Sequence, residues 1–296
     1  MSDAPPPTPA AEGVEGPATP RPGGRAHALT PTQRRLATQV VGWAAGIVLV
    51  VLLLVLTDWD RVLDNLFDVE IAGEQLPDVL TIAAKNTVLY TLLSFALGLV
   101  LGLVSALARL SSVWLLRAYA RVYVELFRGL PALLTIIIVG YALPIALDLS
   151  VPDVEIPGVA TLSGAGILAL GLVAGAYMSE TIRAGLQAVP KGQTEAARSL
   201  GMSPTQTTIF VVIPQAFRII VPPLANEMIL LLKDTALLSV LGTTIDTKEL
   251  TKFGRDGVSD TFNMTPLIFV GVIYVLITIP FTQLISRLER RQRRAR

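Results

Sequence analysis

The 296-residue chain is 52% hydrophobic and only 16% charged, with a mean hydropathy of +0.61 and a formal net charge of +1. Soluble domains carry roughly a quarter charged residues, so this composition belongs to an integral membrane protein. There is no Cys and a single His, His27, which excludes disulfides and thiolate metal sites and leaves no basis for Cys or His catalysis.

Residues 1–32 are rich in Pro, Gly and Ala and lack apolar periodicity. Such a segment buries too little apolar surface to offset chain entropy, so a disordered tail is expected. Thr38 to Thr57 carries no charge, and at ~1.5 Å per residue it reaches across a bilayer core of ~30 Å. With the acidic stretch that follows, Asp58 to Asp78, it forms an amino-terminal segment 33–78 of one span and an outer loop, with a short interfacial helix near Trp59 to Phe67. Further uncharged runs at Asn86–Ala108, Gly129–Leu147 and Ile156–Ser179 predict spans two to four. Gly98, Gly102 and Ser105, and Gly164, Gly171 and Gly175, are spaced for close helix contact.

Thr205 to Ile245 is uneven, interrupted by Arg218, Pro222-Pro223, Glu227, Lys233 and Asp234. The Pro pair predicts a broken fifth span, since each lacks an N–H and clashes with the preceding turn. Glu227, Lys233 and Asp234 cost roughly 2.5 to 3.5 kcal/mol each at mid-bilayer, so they belong inside a bundle or near a helix end. Lys233 with Asp234 or Glu227 reads either as a structural ion pair or as part of a solute path. Residues 246–260 form an outer loop, Thr261–Ser286 a sixth span, and 288–296 a basic tail. Arg34 and Arg35, then Arg109, Arg117 and Arg121, then Arg183, Lys191 and Arg198 fall on one side if six spans alternate. The positive-inside tendency makes that side the cytoplasm, with both termini there. The basic tail would also meet anionic lipid.

The polar stretch Lys191 to Pro204 interrupts these apolar runs. Gln193 to Leu200 holds good helix formers, Gly201 suits the left-handed residue just past a helix end, and Ser203-Pro204 supplies a new N-cap and first-turn Pro. Helix, sharp bend and helix are predicted. Ala196 and Ala197 make a small face for a close partner, and Glu195 and Arg198 offer polar contacts.

Glu195-Ala196-Ala197, three residues, Gly201, nine residues, then Val211, one residue, Ile213-Pro214 resembles the EAA loop of ABC-importer membrane subunits. Ala176-Tyr177-Met178-Ser179-Glu180, Pro214-Gln215-Ala216-Phe217-Arg218, Leu232-Lys233-Asp234-Thr235 and Phe127-Arg128-Gly129-Leu130-Pro131 resemble the polar amino acid permease branch over residues 80 to 287. The resemblance implies an all-α integral membrane fold, the type I ABC importer transmembrane domain over 79–287, with Glu195 to Gly201 as a cytoplasmic coupling helix in the cell membrane of a bacterium. It also implies an ABC ATPase subunit pair, a second permease subunit, a paralogue or a second copy, and an extracytoplasmic amino acid binding protein. No cofactor is expected in this chain, since ATP and Mg would be held by the ATPase, and no G-x-x-x-x-G-K-[ST] occurs. No metal, nucleic-acid or catalytic role is expected. Arg128, Glu180, Glu227, Lys233 and Asp234 are the candidates for the substrate pathway, with Arg128 reading first as an interfacial anchor. Glutamate or aspartate is the first solute implied, with basic amino acids or glutamine next. The alternative function is an ATP-independent channel or secondary transporter.

Overall fold

The computed structural model describes residues 31–242 and 244–294. The expected disordered tail over 1–32 lies almost wholly outside the described residues. The chain divides into two compact units, Met1–Asp58 and Trp59–Arg296. In the first, α1 (Pro31–Leu56) is one helix, apolar on all sides over Val40–Leu56, the pattern of a helix surrounded by lipid.

The second unit starts with α2 (Trp59–Leu66) and α3 (Val69–Asp78). The acidic stretch, expected to be mostly loop, is therefore mostly helical. Asp68 caps α3 by accepting from the N–H groups of Glu70 and Ile71, and Glu70, Glu74 and Asp78 line its exposed face at four-residue spacing. The Asp68 N–H donates to Thr265 Oγ1 at 3.0 Å and the Met264 N–H to the Asn65 carbonyl at 2.9 Å, tying this corner to the last helix. A π-helical turn, Val79–Ala84, continues α3 into α4 (Lys85–Leu110).

After α5 (Trp114–Gly129) the chain bends by 107° at Leu130-Pro131 into α6 (Ala132–Ile137), a π turn and α7 (Leu143–Leu147). Five helices of the described residues are long and apolar enough to cross a membrane, six if this bent pair is one span. A hairpin of β1 (Val154–Ile156) and β2 (Ala160–Leu162) precedes α8 (Gly164–Gln187). The expected fourth span began at Ile156. Gly158, at φ +71, turns the hairpin, and Ser163 caps α8 by accepting from the Gly166 N–H. Helix α8 also outruns its expected end at Ser179, because Glu180 and Arg183 satisfy each other within it.

Helix α9 (Lys191–Ser199), α10 (Pro204–Thr207) and a π turn at Thr208–Val212 lead to α11 (Ile213–Asp234). The predicted break at Pro222-Pro223 is absent: α11 continues through both. Two ladder bonds are lost there, yet apolar flanks on both sides hold the helix. The geometry changes only later, where Thr235–Val240 tightens to 3-10. The expected outer loop contains α12 (Leu250–Thr261), capped by the buried Glu249, whose carboxylate accepts from the Thr251 and Lys252 N–H groups and from the Tyr274 hydroxyl. Helix α13 (Thr265–Arg294) closes the chain and carries the start of the basic tail.

The centre of the unit is the parallel pair α4 and α8. A Cβ added at Gly98 would lie 3.1 Å from Ala174 Cβ, and one at Gly102 would lie 2.8 Å from Met178 Cβ and 3.0 Å from the Gly175 carbonyl. These glycines let the backbones touch, as their spacing predicted. Gly102→Leu forces the helices apart, at a cost of about 1–3 kcal/mol typical of overpacking. Its expected result is a lower thermal midpoint in detergent, measured against wild type, with Gly129→Leu, where nothing lies near the Cβ position, as the neutral control.

Candidate coupling loop and solute cavity

Two features of the second unit carry chemistry. The first is the turn between α9 and α10. Gly201 sits at φ +84; its N–H donates to the Arg198 carbonyl at 3.0 Å and the Met202 N–H donates to the Ala197 carbonyl at 3.2 Å. This pair of bonds is the Schellman closure, which requires a left-handed residue and selects Gly. Ser203 then opens α10 with a capping box: its Oγ accepts from the Gln206 N–H, and Gln206 Oε1 accepts from the Ser203 N–H. The bend is thus fixed by four local hydrogen bonds.

Glu195, Ala196 and Arg198 are exposed, and Leu200 is 85% exposed at the tip. Ala197 is not on that face. It is 5% exposed and turned inward, so the expected two-alanine surface is Ala196 alone, and Ala197 serves the closure. Val211 is half-buried in the π turn beside α9, while Ile213 and Pro214 open α11 on its exposed side. Gln215 donates to Gln193 at 3.3 Å, a direct link from α11 to α9. Helix α9 is therefore tied to both α8, through 188–190, and α11.

The second feature is a cavity of about 580 Å³ between the α5–α6 bend, α8 and α11. Its polar lining is Arg128, Tyr177, Glu227 and Asp234, set among Leu170, Val173 and Pro131. Arg128 lies in the last turn of α5, and its guanidinium carbon lies 5.4 Å from the Tyr177 ring centroid. Glu180, one turn on from Tyr177, stands behind Arg128 at 3.4 Å and is held by Arg109 at 2.6 Å and Arg183 at 2.8 Å. Lys233 lies apart: it is exposed, and among the described residues it forms no ion pair with Asp234 or Glu227. The ion-pair expectation for Lys233 does not hold.

Of the five pathway candidates, the structure brings Arg128, Glu227 and Asp234 to one cavity, sets Glu180 behind it and leaves Lys233 outside. Sequence reasoning gave no role to Tyr177 and used Arg109 only for topology. The i, i+3, i+6 run Tyr177, Glu180, Arg183 on one helix face was the available signal. Among the described residues no group of three His, Asp or Glu side chains could hold a metal ion.

A multi-span helical bundle with an open, charge-lined cavity and a rigidly capped, exposed helix at one end has the form of a transporter's membrane subunit. The family model described as binding-protein-dependent transport system inner membrane component matches residues 98–294. The chain belongs to this family. It is 35% identical over 222 residues to the arginine transport system permease protein ArgU of Corynebacterium glutamicum, covering 74% of this chain and 66% of that one. It is 33% identical over 211 residues to the glutamine transport system permease protein GlnP of Escherichia coli K12, covering 71% of this chain and 91% of that one. It is 42% identical over 153 residues to the L-cystine transport system permease protein TcyB of Bacillus subtilis, covering 52% and 61%. Among solved structures, an amino acid ABC transporter with histidines superposes with a TM-score of 0.66 at 35% identity, covering 76% of this chain and 98% of that one.

Proposed function

We propose that this chain is the permease subunit of an ATP-driven importer that carries a basic amino acid across the cytoplasmic membrane. The observation that carries the solute class is the cavity's charge set: one guanidinium, Arg128, and two carboxylates, Glu227 and Asp234, line the same space. A free amino acid presents one carboxylate and one ammonium, which Arg128 and one acid can meet; the second acid then favours a cationic side chain. Glutamate or aspartate, the first solute expected from the sequence, would set its extra carboxylate against these acids, and the relatives named above carry arginine, glutamine and L-cystine in their names.

In this reading α9 seats in a groove of a separate ATPase pair, which holds ATP and Mg, and rocking of α8 and α11 transmits nucleotide-driven closure to the cavity. A second permease subunit completes the membrane pore, and an extracytoplasmic binding protein delivers the solute at the hairpin end. The Arg and Lys distribution supports a cytoplasmic position for α9 and both termini. An ATP-independent channel, the alternative, leaves the rigid exposed loop without a use.

The solute class is tested by uptake of radiolabelled L-arginine into cells expressing the chain with its ATPase and binding protein, in competition with unlabelled amino acids. Lysine, ornithine or histidine should compete and glutamate should not. Competition by glutamate alone would refute the assignment.

A further inference from the structure

Arg128 has two environments within reach. On one side is the open cavity; on the other is Glu180, which does not line the cavity and is not explained by solute contact. The Glu180 carboxylate is already well served. Arg109 bonds Oε1 at 2.6 Å, and Arg183 bonds Oε2 through Nη2 at 2.8 Å and Nε at 3.1 Å. Arg128 approaches Oε1 at 3.4 Å, beyond the usual hydrogen-bond range of about 2.7–3.2 Å. It is the loosely held third cation on one carboxylate, 44% exposed where Arg109 is 20% exposed.

We propose that Glu180 is a positioning residue that parks Arg128 against the cavity wall, and that the α-carboxylate of the solute displaces Glu180 as the partner of Arg128. The inference rests on the proposed amino acid solute. An incoming carboxylate can accept two parallel N–H bonds from a guanidinium, which Glu180 at 3.4 Å to one nitrogen does not do. The displacement leaves no buried charge unpaired, because Arg109 and Arg183 retain Glu180. Tyr177, under the guanidinium at 5.4 Å, keeps Arg128 aimed at the cavity during the exchange. The event takes place on α8, the helix that runs through Ala188–Pro190 into α9. Occupancy of the cavity thereby loosens the tie between the last turn of α5 and the C-terminal half of α8.

The test is equilibrium binding of radiolabelled L-arginine, and separately of agmatine, which lacks the carboxylate, to the complete importer in lipid nanodiscs without binding protein or ATP. Glu180→Asp shortens the competing side chain but keeps its charge, and Glu180→Gln removes the charge. Both should tighten L-arginine binding by about threefold, the scale of a half-exposed ion pair, and leave agmatine binding unchanged. A purely structural Glu180 would weaken both ligands or move them equally, and that overturns the proposal; so does unchanged L-arginine affinity in Glu180→Asp, the variant that keeps the cluster's charge and fold. Wild type that binds agmatine but not L-arginine would overturn the solute reading itself, and binding of neither would overturn both.

Discussion

Replacing Ala196 by Arg is expected to lower ATP-driven uptake at least tenfold while the protein reaches the membrane at wild-type level. Ala196 lies on the exposed face of α9 between the exposed Glu195 and Arg198, so the larger side chain meets solvent in the isolated subunit and costs no fold stability. If α9 sits in a groove of the ATPase, the same side chain must bury a charge without a partner there, a penalty of about 2–5 kcal/mol, and each ~1.4 kcal/mol is a factor of ten in an equilibrium. Ala197→Arg is the contrasting change. With Ala197 only 5% exposed beneath the Gly201 closure, that substitution should reduce the amount of folded protein, which fluorescence-detected size exclusion measures directly. Two neighbouring alanines thus separate a contact defect from a folding defect. Equal uptake by wild type and a well-expressed Ala196→Arg variant would remove α9 as the contact.

Neutralising both cavity acids, Glu227→Gln with Asp234→Asn, is expected to reduce L-arginine uptake by at least tenfold. Each acid facing a solute cation contributes a charge-assisted contact of about 1.5–3 kcal/mol, and two lost contacts exceed a factor of ten. Protein level should not fall with it. Charged groups at membrane depth carry an insertion cost of roughly 2.5–3.5 kcal/mol each, so the neutral pair should melt at the same temperature as wild type or higher. Lower activity combined with equal or greater thermal stability is what a site retained for solute, at a cost to the fold, must give. Loss of both together would mark Glu227 and Asp234 as structural.

The sequence specified the loop more fully than the cavity, for a physical reason. Gly201 and Ser203-Pro204 act on their own backbone within a few residues, so a left-handed closure and a new N-cap follow from residue type and order alone. Gly98 and Gly102 were legible in the same way, because small residues at helical spacing let two backbones approach closely. The inward turn of Ala197 was not legible: adjacent alanines on a helix point to different sides, and tertiary packing decides which one is covered. The continuation of α11 through Pro222-Pro223 was missed because local Pro rules do not count the tertiary packing that holds the helix on both sides of the pair. Short elements were hidden by composition, α3 under its acids and the β-hairpin under a hydrophobic run that also reads as a span. The grouping of Arg128, Glu227 and Asp234 around one space depends on the 107° bend at Leu130-Pro131, and no local pattern encodes where such a bend aims a side chain.

Drive through α9 by a separate ATPase is the step of the proposed function on which the others depend. It is tested most directly by reconstituting the chain with the ATPase and binding protein in liposomes and measuring L-arginine accumulation with ATP, without ATP, and without the ATPase. Concentrative uptake is expected only in the first condition. Uptake that persists at the same rate without the ATPase would contradict it and leave a channel or secondary transporter in its place.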